Sequence, residues 1–340
     1  MNDYYYINNL KGYNFAVPKL ICLKKIIYYP NFLNRYIGFA YIKNAFRLVP
    51  YWHINKKSSL WLHSHLLKIN IGKKFFIIPR YILKVFYFFK KKYYFNLNKN
   101  DVIMFGVYPK IYFHQIIDYI LRIIFLKKKI KKINNIYLPI QLKKILNSCP
   151  YKKIFSNFNF KYLRNDIEYH FNNATYLSYI DHFKNNSHLE KSIYYLNQSL
   201  KNIIKLKKNN EYIYISRNNC HRKLLNENEL FNELKTFGFK KFFFEKMSYR
   251  QQIKLCSEAK IIISYHGSGL TNLIFSKKNC LVIEIFNKFL QNPIYNTLCN
   301  VKKIKYKKFV CMESFKNFDG ICNVDDIVNF LKENKYITSK

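Results

Sequence analysis

Residues 211–216 read EYIYIS and residues 259–272 read AKIIISYHGSGLTN, and these two stretches decide the fold. Each opens as a short run rich in β-branched and aromatic residues, the composition of a buried strand, and each breaks off into polar residues. Between them the chain is punctuated as helix, strand and helix. Asn226 with Glu229 three residues on is a capping signature for a helix that stops at Gly238. Phe242 to Glu245 reads as the next strand, and Ser248 with Gln251 repeats the capping pattern for a helix to about Glu258. Beyond the turn His266-Gly267-Ser268-Gly269 a short helix starts at Leu270, followed by a strand over Leu281 to Ile285. Strands alternating with amphipathic helices of about ten residues predict a parallel sheet covered on both faces, a doubly wound domain.

Toward the N-terminus the pattern is less regular. Over Asn185 to Lys208, Leu189, Ile193, Leu196, Leu200 and Ile204 fall at steps of three and four and predict a helix joining two halves of the chain. Before it, a helix over Tyr112 to Leu126, a strand over Asn135 to Pro139 and a helix over Gln141 to Asn147 suggest a second α/β unit. In residues 1–100 Lys and Asn interrupt every hydrophobic run and blur both periodicities. A chain of 340 residues is comfortable for two domains.

Composition narrows the class. A hydrophobic content of 49% with 19% aromatic residues supplies packed cores and argues against a disordered chain. The 59 Lys and Arg against 19 Asp and Glu give a formal net charge of +40, which by itself would suggest nucleic acid or an anionic surface. The excess is mostly Lys, accompanied by abundant Asn, Ile, Tyr and Phe, the residues of AT-rich codons. It is also spread along the chain and not gathered into a binding module, so no specific nucleic-acid partner is expected. The eight cysteines show no Cys-x-x-Cys and no paired Cys/His spacing, so they read as small buried hydrophobes and not as a zinc or redox site. The opening MNDYYYINNLKGYNF lacks the charged and apolar regions of a secretory signal, which sets the expectation of a cytoplasmic protein. Phe75 to Phe89, flanked by Lys, is the one candidate for peripheral contact with an anionic membrane, against the alternative of a buried core segment.

The chemistry gathers at the two strand ends. In Ser264-Tyr265-His266-Gly267-Ser268-Gly269-Leu270-Thr271-Asn272, glycines free to take positive φ let the backbone approach a ligand, and the amides of a helix start favour an anion. A tight structural turn is the alternative reading. In an open parallel sheet the C-terminal strand ends are where ligands bind. Past the other strand, Arg217 and Arg222 bring guanidinium forks suited to phosphate. If both ends open on the same sheet edge, Arg217, Arg222 and the turn converge on a diphosphate.

Tyr214 to Phe286 resembles the core of glycosyltransferase family 61. The family pattern is a strand ending in Ser-Arg, a second Arg, an Asn-Glu helix start, a Gln…Ala…His-Gly block ending in Asn, and a Glu on the closing strand. Its counterparts are Ser216 and Arg217, Arg222, Asn226 and Glu227, Gln252 and Ala259, His266 to Asn272, and Glu284. Upstream, Tyr112 to Arg122 is similar to the family's segment around a His and an Asp, with Leu121 where Pro is usual and Gln115 where Trp is common; Asn323 to Glu333 resembles its closing helix.

The resemblance implies an inverting, metal-independent transferase of α/β, GT-B type, with two Rossmann-like domains facing across a cleft. It divides the chain into an acceptor-side domain over 1–195, a nucleotide-sugar domain over 196–312, and a C-terminal helix and tail over 313–340. Its partners would be a nucleotide-sugar donor, UDP-linked, and a glycan acceptor in cell-surface polysaccharide assembly. No cofactor or metal is implied beyond that donor. The sequence agrees in lacking an Asp-x-Asp pair to hold a cation on a diphosphate. On this reading the donor is held by Arg217, Arg222, Asn226, His266, Gly267, Ser268, Gly269, Leu270, Asn272 and Glu284, with His266 on the diphosphate and Glu284 on the ribose. His114 and Asp118, four apart on one helix face, would be the companion and the general base. A non-catalytic nucleotide- or glycan-binding protein of the same fold is the alternative.

Overall fold

The computed structural model describes the strands within residues 20–79 and residues 91–337, apart from 99, 105–108, 130–132, 165–166, 178–186 and 206–210. The chain divides into two compact units, Met1–Asn147 with Phe155–Asp181, and Ser148–Ile154 with His182–Lys340.

In the first unit, strands β1 (Leu20–Phe32), β2 (Ile37–Ile42), β5 (Lys91–Phe95), β6 (Val102–Ile103), β7 (Asn135–Pro139), β8 (Asn159–Leu163) and β9 (Ile167–Leu177) form one sheet, while β3 (Leu66–Ile71) and β4 (Lys74–Pro79) form a separate antiparallel pair. The sheet is mixed. β9, β6, β7 and β8 run parallel, as the α/β pattern predicts, whereas β1 pairs antiparallel with β9 and β2. The start of the membrane-surface candidate is thus a paired strand, and its remainder lies outside the described residues. No helix among the described residues is long and apolar enough to cross a membrane.

The expected helix at Tyr112 runs as Tyr112–His114, a π-helical stretch Gln115–Ile120, and Leu121–Lys129. Every residue from Phe113 to Leu126 is buried, as befits a helix that is apolar nearly all round. Besides Gln115, its polar exceptions are His114, Asp118 and Arg122, which recur every four residues and form a buried polar stripe.

The second unit is the doubly wound domain. Strands β10 (Glu211–Ile215), β11 (Lys240–Phe242), β12 (Ala259–Tyr265), β13 (Leu281–Phe286) and β14 (Lys305–Val310) lie in the order β11-β10-β12-β13-β14, all parallel. Strand order reverses between β10 and β12, and at such a switch point the loops leaving neighbouring strands diverge to opposite faces and leave a crevice for ligand. Ile215 and Ser264 are register partners at that point.

Helices Glu227–Thr236, Tyr249–Glu258 and Val324–Glu333 accompany the sheet. Leu230, Leu234, Ile327 and Leu331 bury against β-strand residues such as Tyr214, Ile263 and Ile283. The Ser248–Gln251 capping box is present in both directions. The helix Ser187–Lys201 buries Leu189, Ile193, Leu196 and Leu200 at the expected steps and lies wholly in this unit, so a boundary at 195 would cut it.

Two local expectations shift. The strand expected over Phe242 to Glu245 instead runs over Lys240–Phe242 and gives way to a 3-10 turn, Phe244–Lys246, where the Phe244 carbonyl accepts a 2.8 Å hydrogen bond from the Gln252 side chain and the ring is buried. Asn226 does not cap its helix. Its amide donates to the Cys322 carbonyl at 3.0 Å and its oxygen accepts from the Cys322 amide at 3.0 Å, a clamp between segments 96 residues apart.

Candidate functional site

Ser216 and Arg217 leave β10 at the switch point. A buried carboxylate fixes that exit: Glu227, first residue of its helix, accepts from the Ser216 hydroxyl at 2.6 Å and the Arg217 amide at 3.2 Å, and pairs with Lys241 at 3.4 Å. Its position also suits the positive end of the helix dipole. Sequence reading placed Glu227 in the motif but gave it no role; an acid at the first helical position behind Ser-Arg was the available signal.

The Arg217 side chain folds across to the turn after β12. A Cβ built on Gly267 would fall inside the Arg217 guanidinium, so only glycine leaves room for that group. The backbone here is extended, with φ of 178°. The expected need for positive φ is therefore replaced by a need for space. At Gly269 a Cβ would press on Ile215 at 3.3 Å.

Arg217 donates to the His221 carbonyl at 2.9 Å and Arg222 lies beside it. Neither guanidinium has a carboxylate within salt-bridge distance among the described residues. Burial, and then the neighbouring Arg217 charge, lower the Arg222 pKa from its ordinary value. Arg222 also holds a left-handed backbone, φ 67°. Leu270 is the first amide of the 3-10 helix Ser268–Phe275 to bond back, to the Gly267 carbonyl at 3.0 Å; those of Ser268 and Gly269 precede any intrahelical acceptor. The Arg217 guanidinium and a helix start thus meet on one turn, with the Arg222 charge next to Arg217.

His266 is set by its neighbours. Its Nδ1 bonds Glu284 at 2.6 Å, its ring stacks on Phe286 at 5.0 Å, and Tyr295 lies 5.5 Å away. Nε2 has no partner among the described residues and is the ring atom left for a ligand. Glu284 is 0% exposed; its second oxygen accepts from the Tyr306 hydroxyl at 2.7 Å. Burial raises its pKa, and the bonds to His266 and Tyr306 oppose that rise. Its two oxygens hold the His266 ring and the Tyr306 hydroxyl. Tyr306 was missed, since nothing local marks a strand tyrosine as the partner of a residue 22 positions away.

The remaining donor-side residues divide between wall and scaffold. Ser268 and Gly269 are half-buried at the turn. Leu270 and Asn272 are buried, and the Asn272 amide donates to Gln252 and to the Gly269 carbonyl, both at 3.1 Å. Asn272 ties the turn to the helix behind it, and Asn226 is bonded to Cys322.

The other expected pair lies in the first unit. His114 Nδ1 meets Asp118 Oδ2 at 2.6 Å, and Asp118 is 1% exposed against 8% for His114. The carboxylate is the inner member, so Asp118 as the direct base, with His114 behind it, does not fit. Arg122 is fully buried and donates to the backbone carbonyls of Asp118 and Leu177. Gln115 donates to the Pro109 carbonyl at 2.8 Å.

A family model described as Glycosyltransferase 61 matches residues 112–283, half of the chain, from the helix that carries His114 and Asp118 through the His266 turn and into β13. The chain belongs to glycosyltransferase family 61. Among family relatives, the "EGF domain-specific O-linked N-acetylglucosamine transferase" of Drosophila melanogaster is 28% identical over 98 residues, 28% of this chain and 18% of that protein. Its counterpart in Gallus gallus is 32% identical over 78 residues, 22% and 15%. The "Beta-1,2-xylosyltransferase RCN11" of Oryza sativa subsp. japonica is 26% identical over 89 residues, 26% and 16%. The match spans less than a fifth of the length of each of these proteins.

Proposed function

We propose that this family 61 member is a glycosyltransferase that moves a sugar from a UDP-linked donor to a glycan acceptor, with inversion and without a metal ion. One observation carries the reading. At the switch point of a parallel sheet, Arg217 and Arg222 have no carboxylate within salt-bridge distance among the described residues, and the Arg217 guanidinium occupies the space that the missing side chain of Gly267 leaves open. As the bond between the anomeric carbon and the diphosphate breaks, negative charge grows on the leaving oxygen. The guanidinium forks, His266 and the first-turn amides are placed to balance it, and the sequence offers no Asp-x-Asp pair for a cation.

For the base, the burial order favours His114. Its ring would take the proton of the acceptor hydroxyl as that oxygen bonds the anomeric carbon from the face opposite the departing UDP. Asp118 would hold the ring and stabilise the imidazolium that forms. The GT-B class belongs to the same proposal, supported by parallel α/β structure in each unit.

UDP release from purified protein tests this. N-acetylglucosamine and xylose, the sugars in the relatives' names, are the donor sugars to try first, each linked to UDP, with EDTA present. Turnover is expected to persist under chelation. Loss restored by manganese would contradict the metal-free mechanism, and UDP binding without release from any donor would leave a non-catalytic binder.

A further inference from the structure

The chain leaving β14 does not stay at the edge of its sheet. It folds back as β15 (Glu313–Ser314), a loop, and β16 (Gly320–Ile321), and runs across the C-terminal ends of the other strands. Cys311 donates to the Phe286 carbonyl at the end of β13 at 2.8 Å. Asn287, just past β13, donates to the carbonyls of Phe315 at 3.0 Å and Asp319 at 2.6 Å. Tyr265, the last residue of β12, donates from its hydroxyl to the Phe318 carbonyl at 2.8 Å. Past β10, the Lys223 amide donates to Asp319 at 2.6 Å, and Gly320 donates back to the Lys223 carbonyl at 3.0 Å. Three strand ends therefore pin one short strap over the edge where doubly wound domains bind ligands.

The strap spends this anchoring on an aromatic display. Phe318 sits at φ 69°, a left-handed conformation that a bulky residue avoids and that persists only where its surroundings over-determine it. Phe318 and Phe315 remain 36% and 41% exposed. The strap also adjoins the anion site. Arg222 immediately precedes Lys223, which is bonded to Asp319, the neighbour of Phe318. Two Cα steps and one hydrogen bond separate them, on the order of 10 Å, the reach of a nucleoside from its phosphates to its base. Arg222 and Asp319 both act electrostatically on the Tyr265 hydroxyl that holds Phe318.

We infer that the strap is the nucleobase wall of the donor site, and that the Phe318 ring stacks on the base of the nucleoside diphosphate whose phosphates meet Arg217 and Arg222. This rests on the proposed nucleotide-sugar reading and adds the element that separates a nucleotide from a bare diphosphate.

The test is calorimetry with two probes, UDP and inorganic pyrophosphate, on the full chain and on Phe318→Gly. Glycine suits the left-handed backbone, so the strap is expected to keep its path and the melting temperature not to fall. Loss of one base–aromatic stack weakens UDP by roughly five- to a hundredfold, leaves pyrophosphate unchanged, and is reversed in Phe318→Trp. Equal weakening of both probes, or of neither, would overturn the wall. So would UDP binding the parent no more tightly than pyrophosphate, with the anion site left standing. A Phe318→Gly variant that keeps UDP affinity but loses transfer would assign the strap to the acceptor instead. Binding of neither probe to the parent would remove the anion site itself, and the wall with it.

Discussion

Each unit carries a histidine whose Nδ1 is bonded to a carboxylate at 2.6 Å, and in both pairs the histidine side chain is 10% exposed and the carboxylate 0%. The two pairs differ in what surrounds them. His266 and Glu284 come from adjacent strands, are joined by Tyr306, and stand beside the Arg217 guanidinium, which has no carboxylate within salt-bridge distance among the described residues. His114 and Asp118 lie one helical turn apart, and Arg122, a turn further on, donates to the backbone carbonyls of Asp118 and Leu177. In the proposed mechanism His266, beside Arg217, would contact the leaving diphosphate, and His114 would take the proton of the acceptor hydroxyl. Identical pair geometry thus supports two opposite tasks, and context decides which.

The largest effect expected from this contrast is at His114. His114→Ala should lower transfer about a hundred- to ten-thousandfold, the range of a lost general base, while UDP affinity stays within about twofold by the logic that the base acts only in the transition state. Asp118→Asn should cost less than His114→Ala. Full loss in Asp118→Asn with a mild His114→Ala, measured as UDP release per enzyme, would reverse the assigned order within the pair.

A smaller effect separates the cationic environment from the pair itself. Gly267→Ala would displace the Arg217 guanidinium, the far end of a flexible side chain, and leave the sheet intact. UDP affinity should drop by about tenfold, the worth of one charge-assisted contact. Combined with Arg217→Ala it should fall no further than Arg217→Ala alone, since both changes remove one group. Additive losses would show that the glycine serves the ligand directly.

The smallest effect concerns Tyr306. Tyr306→Phe removes one hydrogen bond from a buried carboxylate and should cost about 1–3 kcal/mol of stability in a denaturant titration, with UDP affinity changed less than about fivefold. An affinity loss as large as that of Gly267→Ala would make Tyr306 part of the ligand site.

How much of this was legible beforehand follows the range of the interactions involved. β12, its turn, β13 and the Ser248 capping box were readable because each is decided within a few residues, by β-branched runs, glycines and a hydroxyl three before a glutamine. Arg217 and the turn were readable as a pair because parallel strands bring their C-terminal ends together. The partners of Glu284, Asn226 and Asn272 were not legible because each lies 18 to 96 residues away. The strap was invisible for the same reason: EYIYIS and AKIIISY announce strands, but nothing in Phe315 to Gly320 announces a crossing of the sheet edge. In the first unit, antiparallel β1 and the π-helical stretch follow from pairing and packing that a Lys- and Asn-interrupted sequence does not display.

The central claim is that Arg217 is an uncompensated cation waiting for phosphate, and calorimetry of UDP with the full chain and with Arg217→Ala tests it most directly. The account predicts measurable binding by the parent and a roughly ten- to hundredfold loss in Arg217→Ala, with an unchanged melting temperature. Equal UDP affinity in the two proteins would contradict it.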